Sequence, residues 1–258
     1  MTVALANSRQ ISVRHLRALA RQPYWIAVTL VQPIVWLLLF GELFKRVADL
    51  PGFTGASYIA YLTPGIVVMT AVFANGWSGM TYIQDMDRGI MDRFLVSPAS
   101  RAALIAGGLG YQAVITIIQA VIIIGLGFAV GARFEGGLGV MLVFLLGAVV
   151  LGAAFAALSN LIALLVRRDE SVVAAVNFLL LPLSFLSAMF LPETLMPGWM
   201  QAAARFNPVN WAVEIGRQTI EADVDWALIG TRMLYLALFA GVLAYLSARA
   251  FRSYQRSI

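Results

Sequence analysis

Asp85 and Arg88 stand three residues apart, and Arg88 and Asp92 four, the spacings at which ion pairs form on one helix face. They belong to DMDRGIMDRFLVSPASR (85–101), which carries six ionised side chains, three of each sign, in a chain that is only 12% charged. Phe94, Leu95 and Val96 follow as a compact apolar tip. Ser97 and Pro98 then end the helix, because proline cannot continue it and restricts the residue before it. A segment of this kind has two uses. It can be a solvated loop whose charges mark one face of a membrane, with Phe94 and Leu95 sunk into the interface. Alternatively it docks on a partner protein, paired charges setting the register while the apolar tip fills a groove.

Catalytic chemistry has little to work with. The sole lysine, Lys45, has no Gly-rich loop before it and no Ser or Thr after it. A P-loop needs that lysine on the β- and γ-phosphates, so this chain does not hydrolyse ATP through such a loop. Cysteine is absent and His15 is the only histidine, which removes Cys-His and Ser-His-Asp constellations and leaves no metal centre to propose. A membrane enzyme built on carboxylates is a third class of reading, but no carboxylate nominates itself. The expectation is no catalytic residue and no metal ligand on this chain.

The elements that must position the charged segment are membrane spans. The chain is 258 residues long and 61% hydrophobic, with a mean hydropathy of +0.85. That is too apolar for a fold surrounded by water, and lipid is the expected solvent. Runs able to cross about 30 Å of hydrocarbon occur six times. They lie near residues 25–44, 58–78, 103–130, 138–166, 172–191 and 227–248. Six spans put both termini on one side. With the termini inside, the inner segments hold 12 basic residues against 6 outside, as the positive-inside rule requires of a cytoplasmic face. The net charge of +5 is then a topology signal and not a nucleic-acid footprint. Residues 79–102 become a cytoplasmic loop, and residues 1–23 an amphipathic helix on the inner surface that precedes the first span. No cleavable signal peptide is expected.

Within the spans, Glu42 lies at an outer end beside Lys45 and Arg46, where pairing with those cations is the simplest expectation. Gln32, Asn75, Gln112, Gln119, Asn160 and Asn177 are polar but neutral, and are expected chiefly to bond across helices. The near absence of central charge and of an internal repeat weighs against an ion-coupled secondary transporter, which is kept as the alternative. Between the fifth and sixth runs, residues 192–226 form an outer segment divided by Pro192, Pro197 and Pro208, with Asn207 expected to cap a helix reaching Ile220. Trp199, Trp211 and Trp226 suit a headgroup-level belt.

These stretches carry a resemblance. GIMDRFLVSPASR (89–101) resembles the acid–Gly–acid–Leu–Ser-Pro loop of permeases of the type-2 ABC transporter superfamily. QPIVWLLLFGELF (32–44) and YIAYLTPGIVVM (58–69) look like the first two spans of its daunorubicin/doxorubicin-resistance branch. FLSAMFLPETLMPGW (185–199) and NPVNWAVEIGR (207–217) are similar to its fifth span and outer segment. Ile90 departs from the pattern, many relatives carrying Thr there.

The resemblance implies an all-α integral membrane fold: one permease domain over residues 1–258, six transmembrane helices, an N-terminal interfacial helix and short outer re-entrant helices between spans five and six. It implies a homodimer, or a pair with a paralogous permease, in the cell inner or plasma membrane. A separate ATP-binding cassette ATPase would carry ATP and Mg²⁺, leaving no cofactor on this chain. Asp85, Arg88, Gly89, Asp92, Arg93, Phe94 and Leu95 would then couple to that ATPase, and Gln32, Trp36, Asn75 and Asn177 would line the substrate pathway. The implied function is export of amphiphilic drugs, antibiotics or lipid-like molecules.

Overall fold

The computed structural model describes residues 23–49, 53, 57–87 and 101–255, and the regular elements among them are all helical. In chain order these are α1 (Pro23–Leu43), α2 (Tyr58–Gly76), α3 (Ser78–Asp87), α4 (Arg101–Ala129), α5 (Gly137–Val166) and α6 (Asp169–Phe185). After them come α7 (Gly198–Ala204), α8 (Pro208–Arg217) and α9 (Trp226–Gln255), with 3-10 turns at Lys45–Asp49 and Glu193–Leu195. The expected interfacial helix over residues 1–23 lies outside the described residues, apart from Pro23, which opens α1. So do Arg88, Gly89, Asp92, Arg93, Phe94 and Leu95.

Four stretches are long and apolar enough to cross a membrane among the described residues: Tyr58–Thr81, Gly110–Ala129, Gly137–Val166 and Trp226–Phe251. The expected first and fifth runs fold as α1, of 21 residues, and α6, of 17. In α1 the apolar part is the shorter Val28–Leu43.

The helix α2 is the centre of the assembly. Ser57 starts it, its hydroxyl accepting from the Ala60 amide at 3.2 Å. The surrounding helices α1, α4, α5, α6 and α8 all pack on it, and 83% of its membrane-length stretch is buried. Leu62, Ile66, Val67 and Val72 from α2 meet Ile123 of α4 and Phe144, Leu151 and Phe155 of α5 in one apolar core. The last helix, α9, packs chiefly along α5. Outward faces carry Val31, Val35 and Leu39 on α1, Val121 and Phe128 on α4, and Leu238 and Val242 on α9, all exposed. In water such faces would associate, whereas hydrocarbon solvates them.

Three of the six neutral polar residues, Asn75, Gln119 and Asn160, bond across helices as expected. The Asn75 amide donates to Thr116 Oγ1 at 3.0 Å, Gln119 Nε2 to Thr29 Oγ1 at 3.1 Å, and Ser78 Oγ to Asn160 Oδ1 at 3.3 Å. Glu42 pairs with Lys45 at 3.8 Å on an exposed surface, where such a pair contributes little.

Two boundaries differ from expectation. The fifth run was expected to stay helical to Leu191, yet α6 ends at Phe185. Asn207 explains the early end: its amide donates to the carbonyls of Leu183 at 2.6 Å and Leu186 at 3.0 Å. Asn210 Oδ1 then accepts from the Ala188 amide at 2.8 Å. With its terminal backbone groups satisfied by side chains, the chain can leave the helix while still enclosed. Asn207 also caps α8 through the Val209 amide at 2.9 Å, as its place before Pro208 predicts. That helix stops at Arg217 and not Ile220, because Thr219 and Ile220 turn back with i→i−3 bonds to Gly216 and Arg217 at 3.1 and 3.0 Å.

Candidate functional site

Three places in the structure bear on function. The first is the approach to the charged segment. After α2 the chain makes a one-residue step at Trp77 and continues as α3, whose last turn contains Asp85. The start of α3 is seated on α5 by small residues. The Gly79 amide donates to Ser159 Oγ at 2.9 Å, and Ser78 Oγ bonds the Ala156 carbonyl and Asn160 Oδ1, both at 3.3 Å. A methyl group on Gly79 would stand 2.4 Å from the Ser159 carbonyl oxygen, so only glycine permits this approach. Further along, Ile83 is buried, and Met86 packs against Leu164 and Phe251. The stem of the charged loop is therefore fixed to α5 and touches the end of α9.

The second place is a groove between α1, α2 and α4, about 170 Å³ in volume and open on one side. Thr29, Gln32 and Pro33 line it from α1, Met69, Thr70, Phe73 and Ala74 from α2, and Gln119 from α4, with Trp77 at one end. Of the residues picked out by sequence as a pathway, the structure brings Gln32 here. Trp36 lies one turn along α1, stacked on Phe40 at 4.7 Å and leaning on Phe190 at 5.5 Å. Asn75 is buried on another side of α2, its amide taken by Ala71 and Thr116 and its Oδ1 without a partner. Asn177 is half-buried on α6, beside the Val176 that packs on Gly76.

The third place is a polar knot under α7 and α8. The Ala188 carbonyl accepts from the Tyr61 hydroxyl at 3.1 Å and from the Arg217 guanidinium, which lies 3.9 Å over the Tyr61 ring. The Asn210 amide bonds Glu193 and Glu214, each at 2.8 Å. Arg232 of α9 completes the set by pairing with Glu214. Burial pushes the Glu214 carboxyl above its usual range, and the Arg232 beside it opposes that rise. Burial likewise pulls the Arg217 guanidinium down, against Tyr61 and the acids Glu193, Glu214 and Glu221. The knot thus ties the chain leaving α6 to α2, α8 and α9 at once. Sequence reasoning missed Asn210 and Arg217. The available signal was the spacing of Asn210, Glu214 and Arg217, which puts an asparagine and two charges on one face of the helix after Asn-Pro.

The chain matches the ABC-2 type transporter family over residues 8–220. It is 28% identical over 246 residues to the daunorubicin resistance ABC transporter permease protein DrrB1 of Streptomyces coeruleorubidus, covering 93% of this chain and 84% of that protein. It is 27% identical over 198 residues to the inner membrane transport permease YadH of Escherichia coli K12, covering 73% of each.

Proposed function

The chain belongs to the ABC-2 type transporter family, and from that premise we propose that it is the membrane-spanning permease subunit of an ATP-driven exporter. A separate ATPase subunit binds ATP and Mg²⁺, and this chain holds no cofactor. The observation that carries the reading is the seat of α3 on α5 at Gly79 and Ser159, which turns the stem of the charged loop into a lever attached to a membrane-length helix. A loop that merely marked the inner face would have no use for so close a crossing.

In this reading the protein is a homodimer of six-span subunits in the cell inner membrane, with both termini cytoplasmic. ATP closes the ATPase pair, the loops carrying Asp85, Arg88, Gly89, Asp92, Arg93, Phe94 and Leu95 are drawn together, and α3 passes the movement to α5. Cargo moves along α1, α2 and α6, where Gln32, Trp36 and Asn177 meet it and Asn75 holds the packing behind them. The short helices α7 and α8 close the outer end. The cargo is an amphiphilic drug, antibiotic or lipid-like molecule, in line with the groove beside Phe73 and Trp77 and with the drug-resistance name of one relative.

The test is co-purification of this chain with an ABC ATPase, followed by transport in vesicles. Uptake that requires ATP and stops with vanadate supports the reading. Uptake that follows a proton gradient and ignores both would replace it with an ion-coupled carrier.

A further inference from the structure

Three buried apolar side chains of α9, Ile229, Leu236 and Leu243, stand seven residues apart, the spacing that keeps one seam of a helix against a neighbour. Leu236 lies by Gly147, and Leu243 by Ala154 and Ala157, all on α5. The next place in that series is Ala250, yet the residue buried there is Phe251, which is 6% exposed. One residue turns a helix by about 100°, so Phe251 is set off the seam. It closes on Leu164 of α5, and Met86 from the last turn of α3 packs against the pair, in a cluster separate from the main core. General burial does not account for this. The membrane-length stretch of α9 is 17% buried, against 83% for that of α2. On a helix turned so largely to lipid, an aromatic ring is enclosed at the inner tip, where α3 ends.

The other side of the contact is equally directed. Gly79, Ile83 and Met86, at i, i+4 and i+7, form the face that α3 turns inward, while Thr81, Gln84 and Asp87 are exposed. Gly79 is held at Ser159, and Met86 at Leu164 and Phe251, two turns or about 10.5 Å further on. A short helix held only at its first turn pivots about that point. Held at both ends it cannot, and a displacement of its tip passes to whatever grips the tip. Helix α5 supplies both points, and α9 joins it at the second. Near its other end α9 is itself anchored, by the pairing of Arg232 with Glu214 of α8.

We propose that Phe251 is a positioning residue for the charged loop, and that α9 is the brace against which the stem of that loop works. Phe251 acts through Met86, keeping the last turn of α3 on α5 so that movement of the loop reaches α5 and α9 together. The brace deepens the transport reading, in which α9 has no task, and rests on it for the source of that movement.

The test uses the full-length chain in lipid bilayers, first alone and then with its ATPase. Alone, Phe251→Ala should raise hydrogen exchange of the amides of residues 83–87 about ten-fold, and Phe251→Leu, which refills most of the space, should restore protection. Leu236→Ala removes a comparably buried side chain from the α5 seam. It should lower the melting temperature as Phe251→Ala does, yet leave exchange in α3 unchanged. With the ATPase, Phe251→Ala should keep the hydrolysis rate and the KM for ATP within about two-fold, while cargo moved per ATP falls about five-fold or more. Phe251→Leu should recover that ratio, and Leu236→Ala should keep it. Met86→Ala approaches the same joint from α3 and should reproduce both effects, which keeps the test open if Phe251→Ala fails to insert. Unchanged α3 exchange in the variants overturns the positioning role. An unchanged ratio of cargo to ATP overturns the brace, as does an equal fall in Leu236→Ala. The exchange measurement needs no ATPase, so failure of any ATPase to co-purify, which removes the transport reading and the brace with it, is told apart from failure of Phe251 to hold α3.

Discussion

The Gly79 amide hydrogen-bonds the Ser159 hydroxyl at 2.9 Å, at a crossing so close that a Cβ on Gly79 would meet the Ser159 carbonyl oxygen at 2.4 Å. Neither residue is charged or catalytic, yet the stem of the charged loop is joined here to a 30-residue helix. Gly79→Val should force α3 off α5. ATPase association should persist while ATP-driven transport falls at least ten-fold, as expected of a broken linkage and not of a lost docking surface. Ser159→Ala, which removes only the bond, should cost about 0.5–1.5 kcal/mol and lower transport far less. Transport assays on both variants in vesicles check this, and equal effects would argue against a steric joint.

The charged loop gives a separate outcome. Phe94→Asp, or proline in place of Met91, should leave the protein inserted and folded while abolishing co-purification with the ATPase. Unchanged co-purification and transport in both variants would return residues 85–101 to the role of a solvated loop.

The polar knot should respond to deletion of its hub. Asn210 donates to Glu193 and Glu214 and accepts from the Ala188 amide, so Asn210→Ala strands the buried Ala188 amide and takes one bond from each of two half-buried carboxylates, Glu214 keeping Arg232. A loss of about 1–3 kcal/mol for the stranded amide sets the scale, with less from the two half-buried carboxylates. Thermal melting in detergent should drop by several degrees, and Asn210→Asp should be worse, because it sets a third carboxylate against two.

Glu214 makes the knot sensitive to pH. Its carboxyl is raised by burial, more than Arg232 lowers it, so the folded chain holds the proton more tightly than the unfolded chain does. Its contribution is then fully present below the ordinary glutamate range and is lost as pH rises through the folded value. Protection of the α8 amides, taken relative to their intrinsic exchange rate at each pH, should therefore increase as pH is lowered toward the ordinary glutamate range. Glu214→Gln should flatten that dependence, and an unchanged slope in the variant would assign it to another group.

Much of this was legible in the sequence. The apolar runs that became α2, α4, α5 and α9 were readable because hydrocarbon demands long uninterrupted apolarity, and Asn207-Pro208 announced the start of α8. The end of α6 was not readable. Leu186–Leu191 is as apolar as the helix before it, and what stops the helix is a pair of asparagines some twenty residues later in the chain. Gln119 was visible as a neutral polar residue, but its bond to Thr29 depends on how α1 and α4 meet. Tyr61 and Arg217 are 156 positions apart, and no local pattern foretells a ring beneath a guanidinium.

The two asparagines that end α6 have a kinematic consequence. Asn207 holds the last carbonyls of that helix while also starting α8, and Asn210 grips the chain between them. Helices α6 and α8 therefore have no free hinge where the secondary structure breaks; side chains of one hold the backbone of the other. Whatever tilts α6 must carry α8 with it, and the same knot passes the strain to α2 through Tyr61 and to α9 through Arg232.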